Sequence, residues 1–277
     1  MSGSALGGGR ARVLVTRPAL EAQAWVAELN SCGFQAHALP LIEIAPPLDL
    51  GALRDARNRL VMGPTAYSAV MFVSPNAVRG FLGSCEGNAP PPEQASLAWA
   101  KGVRAWSPGP GTTRALRSAG WPAEAIDCPP PDAAQFDSEA LWQEVACQAQ
   151  PGARVLIVRG GDSTGRVAGR AWLAEQLQKA GVHVEEVAAY RRLTPVLGDR
   201  ARELLQSGTD GSAVWLFSSS EAVANLCGLL PHQGWSHARA VATHGRIAQA
   251  ARRAGFGCVI ETLPTLQAVA ASIESIP

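Results

Sequence analysis

Three segments of the chain recur in the same order, and no other feature limits the possible folds as much. Val13 to Phe34 (VLVTRP…AWVAELNSCGF) is echoed by Val155 to Val182 (VLIVRG…AWLAEQLQKAGV). Met71 to Val78 (MFVSPNAV) is echoed by Leu216 to Val223 (LFSSSEAV), and Val103 to Trp121 by Ala238 to Phe256. Each copy is a short apolar run bounded by turn residues, then a polar or Gly/Pro-bearing stretch, then helical spacing. That pattern predicts a buried strand, a loop at its carboxyl end and a helix. Gly33, Gly120, Gly181 and Gly255 stand where those helices end, and suit the left-handed residue that turns the chain into the next strand. Strand-loop-helix-Gly cycles are common, so one echo would carry little. Three in one order argue for two similar α/β domains facing one another.

A length of 277 residues fits about two domains of ~150 each. The chain is 47% hydrophobic, enough to fill two cores, and its net charge of +1 gives no global field for nucleic acid or an anionic membrane. Arginines do gather locally, at Arg10, Arg12 and Arg17 and at Arg159, Arg166 and Arg170; each group reads either as a cationic pocket or as solvated surface. The six cysteines have no C-x-x-C spacing and no nearby histidine, which argues against zinc and against a redox dithiol. The opening MSGSALGGGRAR has no apolar core of a signal peptide, so residues 1–9 read as a flexible tail and the thiols as those of a cytoplasmic protein. No run reaches the ~18 apolar residues of a membrane span.

Along the chain, strands are expected at Val13 to Thr16, Gln35 to Leu39, Ala69 to Val73, Val155 to Val158, Val182 to Tyr190, Ala213 to Phe217, Arg239 to Ala242 and Cys258 to Glu261. Helices are expected at Ala19 to Ser31, Leu50 to Leu60, Asp137 to Gln148, Asp199 to Leu205, Glu221 to Leu229, Ile247 to Ala254 and Thr265 to Ile276. A further helix opens at Ser74 and Pro75, a favourable cap and first residue, and another ends at Ala180. LPLIEIAPP (Leu39 to Pro47) reads as an extended connector, and Gly83 to Ala95 as a proline-rich surface loop. Alternating strands and helices imply parallel sheets, whose ligands bind beyond the strands' carboxyl ends.

The loops at those ends are Thr16-Arg17-Pro18, Val73 to Asn76, Ser107 to Thr113, Arg159 to Gly165, Ser218 to Ser220 and Thr243-His244-Gly245. They are rich in Ser, Thr and Gly. Such residues at helix starts cradle anions, because the first N–H groups lack intrahelical partners; they also serve as ordinary helix caps. As a set, six polar loops favour a multiply anionic ligand. GPGTTR (Gly109 to Arg114) lacks the Lys-Ser/Thr pair of a phosphate loop, and RGGDSTGR lacks G-x-G-x-x-G spacing, so a nucleotide cofactor is disfavoured. His244 has no sequence partner and reads as a structural or solvent-facing donor.

In order and spacing, VLVTRP, LPLIEIAPP, FVSPNAVRGFL, GPGTTRALRSAGW, VEEVAAYRRLTP, LFSSSEAVANL and VATHGRIAQAARRAGF resemble the bacterial uroporphyrinogen-III synthases over almost the full length. The resemblance implies an α/β fold of two Rossmann-like or flavodoxin-like parallel-sheet domains joined by a two-stranded ladder. Domain one would comprise residues 10–40 and 196–277, domain two 47–185, and the ladder 41–46 and 186–195. It implies a lyase that cyclises hydroxymethylbilane to uroporphyrinogen III, inverting ring D with loss of water, in the route to haem, sirohaem and cobalamin. No cofactor or metal is implied, and the expected form is a cytoplasmic monomer that meets the bilane-forming deaminase transiently. Tyr190 matches the family's cleft tyrosine, proposed to hydrogen-bond the departing hydroxyl. Substrate-binding candidates are Thr16, Arg17, Ser74, Pro75, Asn76, Gly109, Gly111, Thr112, Arg159, Gly160, Gly161, Ser218, Ser219, Thr243 and His244. Val73 replaces a frequent Thr, Pro108 precedes the GPGT turn and Gly245 replaces a frequent Pro, which puts individual hydroxyl contacts in question. Two rivals remain: a two-lobed protein that binds an anionic ligand or tetrapyrrole without turnover, and a nucleotide-dependent transferase, whose Gly-rich loop and acidic ribose partner are missing here.

Overall fold

The computed structural model describes residues 11–83 and 102–276. The chain divides into two compact units, Met1–Glu43 with Thr194–Pro277, and Ile44–Leu193. The expected flexible tail, and the proline-rich loop beyond Gly83, lie outside the described residues.

In the first unit β1 (Arg12–Val15), α1 (Ala19–Ser31) and β2 (Gln35–Ala38) come from the amino-terminal end of the chain. They are completed by α7 (Asp199–Ser207), β9 (Ala213–Phe217), α8 (Ser220–Leu229), β10 (Arg239–Ala242), α9 (Gly245–Arg253), β11 (Cys258–Glu261) and α10 (Leu266–Glu274). The five strands pair in parallel in the order β11-β10-β9-β1-β2. The second unit carries β3 (Glu43–Ala45), α2 (Leu50–Val61), β4 (Ala69–Phe72), α3 (Pro75–Leu82), β5 (Arg104–Trp106), α4 (Pro110–Ser118) and β6 (Ile126–Asp127). After them come α5 (Ser138–Val145), β7 (Arg154–Gly161), α6 (Trp172–Lys179) and β8 (His183–Leu193). Its strand order is β3-β8-β7-β4-β5-β6, with every pair from β8 to β6 parallel.

The three echoes explain both sheets. Each sheet holds one copy of each echo in the same spatial order, β2-β1-β9-β10-β11 in one and β8-β7-β4-β5-β6 in the other. Numbered along the chain, the first has the doubly wound order 2-1-3-4-5. The second is that winding entered at its third strand, a circular permutation. Each unit therefore takes its first-echo strand pair from the opposite half of the sequence from its other two echoes.

Alternation along the strands sorts the cores. In the second unit Ala69, Met71, Val155 and Ile157 pack with Leu141 and Val145 of α5 and Leu173 and Leu177 of α6. Val70, Phe72, Leu156 and Val158 pack with α2, α3 and α4 through Leu53, Leu60, Phe81 and Leu116. In the first unit Val13, Val15, Val214, Leu216 and Val241 meet α1 and α10. On its opposite face Trp215, Phe217, Trp235 and Phe256 form a continuous aromatic cluster. Because helices after β4 and β7 lie on opposite faces of their sheet, the β4/β7 boundary is a switch point, where a crevice opens beyond the carboxyl ends.

Helix ends fall within two residues of expectation except at α5, which stops at Val145 and continues as a 3₁₀ turn over Ala146–Gln148. Gly33, Gly120, Gly181 and Gly255 have φ of 93°, 85°, 78° and 96°, as the helix-ending role requires. Two expectations need correction. Arg159, Gly160 and Gly161 are not in a loop: β7 continues through them because the chain folds back as a hairpin, with Gly161 bridging Val167 and Gly160 accepting the Ala168 N–H at 3.1 Å. Nor does β8 end at Tyr190. It runs to Leu193, with Arg191 paired to Gly161 and its Nε donating to Pro46 O at 2.9 Å.

Candidate active site

At the carboxyl edge of the second unit, β4 ends and Ser74 caps α3, its Oγ accepting the Ala77 N–H at 3.2 Å with Pro75 in the first helical position. The Tyr190 hydroxyl, on the neighbouring half of the sheet, lies 3.1 Å from the same Oγ. Tyr190 is almost wholly buried. Its ring rests on Gly160, where a Cβ would stand 2.6 Å from Cζ and 2.9 Å from the hydroxyl oxygen. A bulge at Ala189 of β8, where the register slips between Arg159 and Gly160, brings Gly160 and Tyr190 opposite each other.

Around this pair the other candidates of the unit take defined places. Asn76 is buried and accepts from Arg79 through Oδ1 at 2.7 Å. Gly109 precedes α4 with its Cα against Phe136, and Gly111 approaches Pro75, where an added Cβ would be 3.6 Å from the ring. Thr112 is buried in the first turn of α4. Ser107 Oγ lies 2.9 Å from both Gly109 O and Thr113 Oγ1 and holds the turn together. Arg159 is buried, with Nη1 on Glu186 Oε1 at 2.7 Å and Nη2 on Arg170 O. Its charge is already matched within the unit. Gly161 sits in the hairpin, whose Asp162 carboxylate accepts from Thr164 N and Oγ1 and from Arg166 N; the Thr164 hydroxyl contributes most to holding that exposed carboxyl below its ordinary pKa.

The first unit presents its own carboxyl edge at the β1/β9 switch point. Thr16 is buried and donates from Oγ1 to Leu216 O at 2.7 Å. Arg17 lies 3.7 Å from Glu21 and 4.7 Å from the centre of the Trp25 ring. Burial pulls the Arg17 pKa below its ordinary value against the opposing pull of Glu21; an arginine stays charged all the same. Arg17 Nε and Ser218 Oγ are both buried without a hydrogen bond among the described residues. An unmet buried donor costs about 1–3 kcal/mol, so an anion accepting from either would recover that cost. Ser219 caps α8 by accepting Glu221 N at 3.1 Å, and Thr243 is buried, its N–H on Phe217 O. His244 caps α9 through Nδ1, which accepts the Arg246 N–H at 3.1 Å.

Each sheet edge thus gathers hydroxyls and helix starts, and among the described residues no three or more His, Cys, Asp or Glu side chains group as metal ligands. The model of the family described as uroporphyrinogen-III synthase HemD matches residues 23–271. The chain belongs to the uroporphyrinogen-III synthase family. It is 29% identical to the uroporphyrinogen-III synthase of Chlorobaculum parvum over 198 residues, 71% of this chain and 70% of that one. It is 27% identical to that of Salmonella typhimurium over 248 residues, 88% and 92% of the two chains. In fold it is similar to the uroporphyrinogen-III synthetase of Helicobacter pylori (TM-score 0.58, 16% identity, 96% and 98% covered). A mutant Thermus thermophilus uroporphyrinogen III synthase gives 0.52 at 17% identity, with 95% and 96% covered. Membership in the family makes the chain a cyclising lyase of tetrapyrrole biosynthesis. No described helix is long and apolar enough to cross a membrane.

Sequence reasoning missed two features of this site. One is the bulge, which has no compositional marker. The other is Gly80 in α3, whose missing Cβ lets the helix approach Ala189 of β8. An isolated glycine inside a helical pattern was the available signal.

Proposed function

We propose that this chain converts hydroxymethylbilane to uroporphyrinogen III, and that it works by holding a reactive substrate in one geometry. The observation that carries the reading is the family match across residues 23–271. The bilane ionises readily: the C–O bond of its hydroxymethyl group breaks, the electron pair leaves on oxygen, and the pyrrole nitrogen supplies the pair that forms the azafulvene. The Tyr190 O–H donates its proton to the departing hydroxyl oxygen, helping it leave as water. Ser74, already fixed by the Ala77 N–H, holds the phenol in place. The substituted carbon of ring D then attacks to form the spiro pyrrolenine, whose fragmentation and recombination invert the ring. Preorganised donors and near-attack positioning are the main sources of rate for such chemistry.

The eight substrate carboxylates are met in this reading by the unpaired donors Arg17 Nε and Ser218 Oγ and by the loops of Thr16, Asn76, Gly109, Gly111, Thr112, Ser219 and Thr243. Arg159 joins that set through its Nε alone, which is buried without a hydrogen bond among the described residues, because Glu186 and Arg170 O occupy its two Nη atoms. Segments 41–46 and 186–195 connect domain one (10–40 and 196–277) to domain two (47–185). The protein acts as a cytoplasmic monomer without cofactor, taking the bilane from the deaminase that forms it. The test is a coupled assay with freshly generated hydroxymethylbilane and separation of the oxidised products by isomer. Predominant type III product supports the reading; type I at the uncatalysed rate replaces it with a tetrapyrrole-binding protein that does not turn over.

A further inference from the structure

We propose that Gly160 and Gly80 are positioning residues that set the aim of the Tyr190 hydroxyl, acting through the one-residue bulge in β8. The proposal rests on Tyr190 being the donor to the leaving hydroxyl.

The argument begins with parity. Val182 and Val184 pack on the side of α5 and α6, and Val187 on the side of α2, α3 and α4. Strict alternation would send Tyr190 to the same side as Val184, away from Ser74. Instead the register with β7 slips: Arg159 stands opposite Ala188 and Gly160 opposite Tyr190, leaving Ala189 as the extra residue. One extra residue reverses the alternation beyond it, so Ala189 and Tyr190 both join the core of Val187. Only this reversal brings the phenol to Ser74.

Two bare Cα atoms make the arrangement possible. At Gly160 a Cβ would lie 2.6 Å from Cζ, 2.7 Å from Cε2 and 2.9 Å from the hydroxyl oxygen of Tyr190. The ring would have to leave. At Gly80 a Cβ would overlap the carbonyl oxygen of Ala189, the bulged residue, so α3 can press on the bulge only because position 80 has no side chain. Neither glycine is among those with positive φ; both are needed for space and not for backbone freedom. A glycine is also unfavourable inside a helix such as α3, and close approach to the bulge gives it a reason to be there.

The chain has two tyrosines, Tyr67 and Tyr190, so protein labelled with ¹³C at the tyrosine ζ carbon gives two resonances, assigned with Tyr190→Phe. Gly160→Ala and Gly80→Ala are expected to move the Tyr190 resonance and leave that of Tyr67. In the isomer assay both lower kcat roughly ten- to a hundredfold with little change in KM, and raise the share of type I product. Adding Gly160→Ala to Tyr190→Phe costs little more than Tyr190→Phe alone. Gly228→Ala, at a helical position with nothing within 4 Å of its Cβ, serves as the neutral control. If Gly160→Ala does not fold, Tyr190→Ala in the same chain should restore the melting behaviour of Tyr190→Ala alone. An unmoved Tyr190 resonance with wild-type kcat, or a folding loss that persists without the ring, overturns the proposal. If the wild-type chain makes no type III product, the reaction fails as a reading, while the resonance and folding-rescue measurements still decide the positioning.

Discussion

Tyr190 lies within β8 and Tyr67 reaches β8 through Glu185, and the structure uses the two phenols in opposite ways. Tyr67 is fully buried, accepts from Arg59 Nε at 2.9 Å and donates to Glu185 Oε2 at 2.7 Å, closing a triangle with the Arg59–Glu185 ion pair. Burial, with a further push from Glu185 and against the pull of Arg59, raises its pKa to about 12. The folded-state value lies above the unfolded one, so the stability from this group is fully present below about pH 10 and is lost as pH rises through about 12. Alkaline denaturation of Tyr67→Phe should show a flatter limb over that window than wild type, alongside a loss of about 1.5–3 kcal/mol at neutral pH for its charged hydrogen bonds. Tyr190→Phe keeps the ring on Gly160, so its melting temperature should stay close to wild type while turnover falls about a hundredfold, the low end for a lost general acid; wild-type turnover would remove Tyr190 from the mechanism. Tyr190 was legible as a phenol in a segment that resembles the family. Arg159 was legible as a cation and misread as lying in a loop, because the partner that occupies it, Glu186, is 27 residues further on and is brought alongside only by β7–β8 pairing.

Among the elements, caps were the most readable feature, since a cap is decided by neighbours in sequence. Ser74-Pro75 opens α3 as expected, and Thr265 caps α10 by accepting Ala268 N at 3.3 Å. These two caps separate stability from function. Thr265→Ala should cost about 1 kcal/mol of stability with turnover unchanged, whereas Ser74→Ala should cost a similar amount and lower turnover as well, because the Tyr190 hydroxyl loses its hydrogen bond to Ser74 Oγ. Paired thermal melts and isomer assays check both. Strand length and register were less readable: the RGG run carries turn composition, and only its pairing to β8 and the returning hairpin keep it in the sheet. The bulge was invisible for the same reason, being a property of two strands in register and of neither alone.

For the whole molecule, the triple echo announced two similar α/β units but not which copies belong together; that came from the family resemblance, since echo order is compatible with either partition. The second unit is one continuous stretch, Ile44–Leu193. A fragment of those residues should unfold cooperatively on its own, and a non-cooperative melt would show that it depends on the rest of the chain. The first unit is closed by Asn225 of α8, whose Nδ2 donates to Leu41 O at 2.7 Å while its Oδ1 accepts from Thr194 Oγ1 at 3.1 Å. A short glycine linker from residue 43 to residue 194 should therefore yield a folded first unit, and Asn225→Ala should weaken it by about 1–2 kcal/mol in a denaturant titration. The same partition sets a timetable for synthesis. Thr16 donates to Leu216, 200 residues later, so the apolar strand Val13–Val15, interior to its sheet between β2 and β9, leaves the ribosome with no partner on its β9 side. At bacterial speeds of ~5–20 residues per second it waits on the order of 10–40 s, and during that interval the whole second unit is made. The first of the described strands is thus among the last to complete its pairing, and until β9 is made its β9-facing edge stays open.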